Sequence, residues 1–339
     1  MKFAIFATGG TIASAPSDEG LRPALSSEEL VALCPDLMGF EHDVLFVDLM
    51  SKDSTDMRPD DWLLMADEIR ARAPSCDAAI VLHGTDTLAW TAAALSLLLN
   101  DLSIPVVLTG SMLPAGVLDS DASDNVFAAV QSAMQLAMYR RGGVSVAFDG
   151  TLIHGPRSTK IDARRKHAFI SVDYPILGEM RDRDTHKIAW LGPHVPVLSP
   201  DRPWGPSPTI ERDIALIPIF PGMRAALLDA VIATAPRALV LEGYGMGGVP
   251  STDDDLLPSI ERAVASGTHV VVKGQPLFGG TDLSVYEPGR RAMGLGAISA
   301  RDMGREALMA KLMLLLPLCP GRDELERLLH EPLCDEVRG

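Results

Sequence analysis

Two short threonine clusters in this sequence have the residue types for nucleophilic chemistry. One is Thr8-Gly9-Gly10-Thr11, and the other is His83-Gly84-Thr85-Asp86-Thr87. A threonine hydroxyl is a poor nucleophile until a neighbouring base takes its proton. Lysine serves as that base where burial or a nearby cation lowers its pKa. Arg157-Ser158-Thr159-Lys160 sets Lys160 beside Arg157 and just ahead of Arg164–Lys166. Each stretch also has a plainer reading when taken alone. Thr85, Asp86 or Thr87 would serve as the N-cap of a following helix, Gly9-Gly10 as a tight turn, and Arg157–Lys160 as a solvated basic loop.

What must position these residues is legible in the flanking pattern. Cys76 to Leu82 reads as a short buried strand, and behind the second cluster Leu88, Ala92, Leu95 and Leu99 recur at helical spacing. Lys2 to Ala7 is a strand leading into the first cluster. Asp43 to Leu49 is another, ending in Lys52-Asp53-Ser54-Thr55-Asp56. The helix after it has Pro59 in its first turn and Trp62, Met65, Ala66 and Ile69 facing inward. Ile104 to Leu108 leads into Thr109-Gly110-Ser111-Met112. A helix capped near Ser123 or Asp124 follows, with Val126, Phe127, Val130, Met134 and Ala137 on one face. Val144 to Phe148 ends in a turn at Gly150. Strand, polar turn and helix in alternation predict an α/β fold with a doubly wound, mainly parallel sheet. Ligands in such sheets bind beyond the carboxyl ends of the strands, where helix N-termini attract negative charge. Four strands end there in hydroxyl-rich turns. The paired Gly9 and Gly10 predict positive φ or close approach of backbone.

At 339 residues the chain exceeds one core, and two domains are expected. Pro193, Pro196, Pro200, Pro203, Pro206 and Pro208 break the pattern between Trp190 and Thr209. The expected division is a catalytic α/β domain over 1–190, a Pro-rich linker over 191–212, and a smaller α/β domain over 213–339. In the last, Ile214–Phe220, Ala238–Leu241 and His269–Val272 read as strands. Helices are expected near Ala225–Ala233, Asp254–Ala265 and Arg305–Leu316, and a short amphipathic helix with frayed ends after Pro320.

A net charge of −15 argues against nucleic acid or an anionic membrane as partner. Cys34, Cys76, Cys319 and Cys334 show neither a C-x-x-C pair nor zinc spacing, so free thiols and no metal are expected. No run approaches the ~20 apolar residues of a membrane span, and Met1–Phe6 is a short run for a signal peptide. A cytoplasmic location is expected. Gly243-x-Gly245-x-x-Gly248 literally fits the dinucleotide fingerprint, so an NAD-dependent oxidoreductase is a rival reading. That fingerprint expects an acid roughly 20 residues on, where the chain has Lys273-Gly274-Gln275, and Pro250 stands where the helix should be running.

Together these segments resemble the bacterial-type L-asparaginase/glutaminase family, nearest its cytosolic type I branch, over nearly the whole chain. Thr8-Gly9-Gly10-Thr11-Ile12-Ala13 matches the family's first threonine motif and His83–Thr87 its second. Asp53-Ser54-Thr55-Asp56-Met57, Thr109–Met112, Asp121 to Asn125 and Arg157–Lys160 are supporting matches. The resemblance implies hydrolysis of L-asparagine, no metal or cofactor, and a homodimer or homotetramer. It implies Thr11 as nucleophile on the side-chain amide carbon, forming a β-aspartyl ester and expelling ammonia. Thr85, Asp86 and Lys160 are then the supporting triad. Lys160 is the base, Thr85 relays to or activates the attacking oxygen, and Asp86 orients the lysine and binds the substrate's amino group. Which threonine attacks first stays open. Ser54 and Thr55 would hold the α-carboxylate, Ser111 would join the substrate site, and Gly10, Thr11 and the Thr85 amide would offer oxyanion donors. Two positions depart from the family pattern. Leu21 stands where a tyrosine often closes over the site, and Gly248 where relatives usually carry an asparagine that supports a neighbouring subunit's site. A non-catalytic amino-acid sensor on the same scaffold is therefore a further reading, against which Lys160 speaks, since binding alone needs no base.

Overall fold

The computed structural model describes residues 1–10, 12, 14–17, 20–23, 26–32, 43–182, 187–190, 202–252, 255–319 and 321–338. The chain divides into two compact units, Met1–Arg202 with Leu333–Asp335, and Pro203–Pro332 with Glu336–Gly339. The first unit opens with β1 (Lys2–Gly9), the short pair β2 (Ser14–Ser17) and β3 (Gly20–Pro23), and α1 (Ser27–Ala32). It continues through β4 (Asp43–Lys52), α2 (Pro59–Arg72), β5 (Ala78–Leu82), α3 (Leu88–Leu98), β6 (Pro105–Thr109), α4 (Ala122–Met138) and β7 (Gly143–Phe148). β8 (Thr151–His154), β9 (Ser158–Lys160), β10 (Phe169–Ser171), β11 (Gly178–Asp182) and β12 (Lys187–Trp190) complete it.

Eight of these strands form one sheet in the order β12-β11-β8-β7-β6-β5-β1-β4. β4, β1, β5, β6 and β7 run parallel, while β8, β11 and β12 extend the sheet antiparallel. Every residue of β5 and β6 is buried, as central parallel strands covered on both faces must be. On one face α4 lays Val126, Ala129, Val130 and Ala133 against Phe3, Ile5, Ile80 and Val107. α2 contributes buried Trp62, Met65, Ala66 and Ile69 and packs against α3. The registers finish the parallel strands level with one another. Gly9 lies opposite Lys52, Ala7 opposite Leu82, and Leu82 opposite Thr109.

The second unit runs β13 (Ile214–Pro218), α5 (Ala225–Ile232), β14 (Ala238–Gly243), α6 (Leu257–Ala265), β15 (His269–Gly274), α7 (Glu287–Gly294), β16 (Ile298–Ser299), α8 (Arg305–Leu315) and α9 (Arg322–His330). Its four strands pair parallel in sequence order, over a core that includes Leu239, Leu241, Ile260, Val270 and Val272. The protein is thus a two-domain α/β fold, with a large, mainly parallel sheet and a smaller parallel one.

Some expectations need correction. α4 begins at Ala122, ahead of the expected cap at Ser123 or Asp124, and Asp121 precedes it without a side-chain cap bond. The Asp121 carboxylate instead accepts the backbone N–H groups of Met112 and Leu113. The C-terminal tail is not frayed among its described residues. Beyond α9, Glu336 and Val337 of the second unit are buried. There the fully buried Lys311 ammonium donates to Leu329 O, Glu331 O and Glu336 Oε1, so a charge out of water meets all its partners. The glycine fingerprint is not a dinucleotide turn. Tyr244 N–H donates to Gly248 O, the Gly247 and Gly248 N–H groups donate to Tyr244 O, and residues 249–252 run on without helix. The Asp254 start expected for α6 lies outside the described residues. Among the described residues no helix is long and apolar enough to cross a membrane.

Candidate active site

The carboxyl edge of the large sheet is built by glycines that let three strand ends touch. Gly9 and Gly10 have φ of 97° and 81°, a region costly for residues with a Cβ. A Cβ on Gly10 would lie 2.2 Å from Gly84 Cα, and one on Gly84 would lie 2.7 Å from Ser54 Cβ. Gly10 N–H donates to Lys52 O at 2.9 Å. That bond corrects the oxyanion-donor expectation for Gly10, whose contribution is close approach.

After β4 a single 3-10 turn, Ser54–Asp56, is opened by Asp53. The Asp53 carboxylate accepts both the N–H and the hydroxyl of Thr55. Ser54 is buried. Its Oγ accepts the Asp86 N–H at 3.3 Å, and its carbonyl accepts the Thr87 hydroxyl at 2.7 Å. Thr87 occupies the N-cap position of α3 without a side-chain cap bond. Its hydroxyl ties the end of β5 to the end of β4 and does not serve the helix.

Lys160 arrives from the short strand β9. Its Nζ donates to Thr85 Oγ1 at 2.9 Å and to Asp86 Oδ1 at 2.6 Å. Thr85 is buried, the Lys160 side chain is 18% exposed and the Asp86 side chain 57%. Solvent therefore screens the Asp86 end of the ion pair, while the hydroxyl end is shielded. A basic nitrogen within hydrogen-bond reach of a buried hydroxyl has the geometry of a proton acceptor. Arg157, expected beside Lys160 in a solvated loop, is buried. Its Nε donates to Asp335 O, and its guanidinium lies 5.5 Å from the Tyr174 ring centroid. Arg157 closes a 3-10 turn, Gly155–Arg157, and Lys160 ends β9, so the two serve different surroundings.

The turn after β6 is held internally. Thr109 Oγ1 donates to Ala147 O, and the buried Ser111 hydroxyl donates to Leu113 O. Asn125 Nδ2 donates to Gly110 O and to Asp121 Oδ2, and Asn125 Oδ1 accepts the Asp149 N–H. Thr8 Oγ1 donates to Leu82 O, while Thr55 is exposed. Thr11 and Ala13 lie outside the described residues, on either side of the fully buried Ile12. Leu21 stands in β3 opposite Pro16.

Sequence reasoning gave no role to two features. One is the Asp121–Asn125 pair, whose four-residue spacing on a helix start was the available signal. The other is His83, fully buried, with Nδ1 2.7 Å from Gly84 O and Nε2 3.0 Å from Thr91 Oγ1. Burial pushes its pKa down to about 4, so the ring is neutral. No motif spacing marks a histidine held this way. Among the described residues no group of His, Cys, Asp and Glu side chains comes together as metal ligands.

Comparison with known proteins fits this geometry. Residues 2–191 match the family described as "Asparaginase, N-terminal" and residues 213–329 the "Glutaminase/Asparaginase C-terminal domain". The chain is similar to the L-asparaginase of Thermococcus kodakarensis, 35% identical over 339 residues and covering 100% of each. It is similar to the crystal structure of L-asparaginase I from Vibrio cholerae, with a TM-score of 0.82 and 30% identity over 99% of each chain. It is also similar to a subunit of the glutamyl-tRNA(Gln) amidotransferase of Methanopyrus kandleri, 34% identical over 355 residues, covering 99% of this chain and 74% of that one.

Proposed function

This chain belongs to the asparaginase family, and we propose that it is an L-asparagine amidohydrolase releasing aspartate and ammonia through a threonine acyl-enzyme. The observation that carries the proposal is the pair of hydrogen bonds from Lys160 Nζ to Thr85 Oγ1 and Asp86 Oδ1. A sensor needs groups that hold an amino acid; a lysine set against a shielded hydroxyl is useful when a proton moves. In this reading Thr11 attacks the side-chain amide carbon, and its proton passes by way of Thr85 to Lys160. The proton is returned to the departing nitrogen, the C–N bond breaks, ammonia leaves and the β-aspartyl ester remains. Water then attacks the ester along the same proton route, and breaking the bond to Thr11 releases aspartate. Asp86 aims Nζ through Oδ1 and offers its exposed side to the substrate's ammonium, while Ser54 and Thr55 receive the α-carboxylate. With Gly10 N–H engaged by Lys52 O, the Thr85 backbone amide is the donor for the developing oxyanion. These steps call on no metal or cofactor. The proposal includes a cytoplasmic homodimer or homotetramer.

Similarity to one component of a tRNA-dependent amidotransferase favours a second reading, in which the chain acts within such an enzyme. A net charge of −15 is a poor match to a polyanionic tRNA. Ammonia release by the isolated chain separates the readings. Turnover of asparagine without additions supports the first, turnover of an amide only with tRNA and partner proteins supports the second, and turnover in neither case sinks both.

A further inference from the structure

We propose that His83 is a positioning residue, holding the Gly84–Thr85 peptide so that the Thr85 N–H faces the reacting carbonyl of the substrate. The inference rests on the amidohydrolase reading above and concerns what orients the donor that this reading uses.

The hydrogen-bond chain behind the site can be written in only one direction. Gly84 O accepts and cannot donate, so His83 Nδ1, 2.7 Å away, carries a proton. The buried ring is neutral, which leaves a lone pair on Nε2. The Thr91 hydroxyl, 3.0 Å from Nε2, therefore donates to it. Trp62 Nε1 can only donate, and it does so to Thr91 Oγ1 at 3.1 Å. The relay runs Trp62 to Thr91 to His83 to Gly84 O, from a donor-only indole to an acceptor-only carbonyl. Both supporting side chains are buried on helices, Trp62 on α2 and Thr91 on α3.

A planar trans peptide carries its C=O and N–H on opposite sides. With Gly84 O drawn inward to His83, the N–H of Thr85 points the other way. Among the described residues that N–H has no hydrogen-bond partner, although Thr85 is 5% exposed and buried amides are rarely left unmet. Gly84 cannot hold the plane itself, because it has no side chain and glycine backbone is permissive. Its lack of a Cβ is required by Ser54 and Gly10. The plane must then be fixed from behind, and the His83 ring is the group bonded to it there.

The test changes the relay without touching Thr85, Asp86 or Lys160. Thr91→Val keeps the shape and removes the hydroxyl, and Thr91→Ser keeps the hydroxyl. Thr91→Val should lower kcat for asparagine by about ten- to a hundredfold with KM changed less than about twofold, while Thr91→Ser stays within about threefold of the unmodified chain. Nitrogen NMR of the His83 ring should show a neutral ring protonated on Nδ1, a pattern lost in Thr91→Val and kept in Thr91→Ser. A proton on Nε2 instead, an imidazolium near neutral pH, or an unchanged kcat in Thr91→Val overturns the proposal. If Thr91→Val does not fold, His83→Asn, whose amide N–H replaces Nδ1–H, is set against His83→Leu. Better-preserved kcat in the asparagine variant supports the role, and equal losses overturn it. If the unmodified chain releases no ammonia from asparagine or glutamine, the amidohydrolase reading fails. The ring tautomer and its response to Thr91→Val then still decide whether the relay holds the peptide.

Discussion

At the carboxyl edge of the large sheet, Gly10, Ser54 and Gly84 come from three strand ends and meet with no side chain between the glycines. Lys160 reaches in from a separate strand to a hydroxyl and a carboxylate there. The carboxyl edge of the small sheet is polar as well, with Glu242, Lys273 and Gln275 at the ends of β14 and β15. Its polar groups, however, bind one another. Arg305 grips the buried Glu242 carboxylate through Nε and Nη2, Lys273 Nζ donates to Gly274 O, and Gln275 Nε2 donates to Ile219 O and Glu242 O. The Gly274 N–H goes to Thr281 Oγ1. Two parallel sheets of one class thus end differently. Long side chains at the second edge fold back and satisfy the turn. Short side chains and glycines at the first let three strand ends meet beside the Lys160–Thr85–Asp86 group.

Breaking the first edge at its proton acceptor should give the largest effect. Lys160→Met should lower kcat for asparagine by about a thousandfold with the thermal midpoint little changed, read by ammonia release and circular dichroism. Near-normal turnover would remove Lys160 from its role. Next in size, Gly10→Ala should cost about 3–4 kcal/mol in denaturant unfolding, because positive φ and a backbone contact both oppose a methyl group. A variant as stable as the parent would show that the close approach at Gly10 and Gly84 is not needed.

His83 sharpens the comparison through pH. Burial holds its pKa at about 4 in the folded chain, against the ordinary 6.5 of an exposed imidazole. As pH falls through 6.5 the unfolded chain takes up a proton there and the folded chain does not. Stability contributed by the neutral ring is complete above 6.5 and is lost progressively down to about 4. The loss is on the order of 3 kcal/mol. Urea titrations across that window should show a flatter pH dependence for His83→Asn; identical slopes would mean the burial of His83 carries no such linkage.

At the second edge, Arg305→Met should destabilise by about 2–3 kcal/mol, since it strands a buried carboxylate, and should leave kcat within about twofold. A large fall in kcat without a fall in stability would mean that this edge, too, serves the reaction. The smallest effect belongs to Gly248. A Cβ there meets Tyr244 alone, its O at 3.3 Å and its Cβ at 4.0 Å, so Gly248→Asn should fold. Combined with Leu21→Tyr it should raise kcat/KM for asparagine about tenfold if each side chain restores one hydrogen bond. No gain would show that neither departure weakens the site.

Much of this was open to reading from the residues. Alternating strands and helices follow local periodicity, and the level ends of β4, β1, β5 and β6 follow from apolar runs that stop at glycine and hydroxyl turns. Gly9 and Gly10 announced positive φ or a close approach, and both occur. Less accessible were matters of competition for the same donor or acceptor. Asp121 could cap α4, yet two loop amides take its carboxylate. Thr87 could cap α3, yet Ser54 O takes its hydroxyl. The antiparallel strands β11 and β12 escaped as well, because strands of five and four residues are too short for a period to show.

By itself, then, the sequence determined the class of fold, the family resemblance and the turns in which the reactive side chains had to lie, because those depend on spacing within a few residues. The resemblance implied that Lys160, Thr85 and Asp86 act together, and tertiary structure joins them by hydrogen bonds across more than seventy residues. Tertiary structure alone decided that Arg157 turns away from them, and that His83 is neutral with its proton aimed at Gly84 O. Those outcomes depend on which surfaces are buried against which, and burial sets both the partner a polar group finds and the charge it can keep.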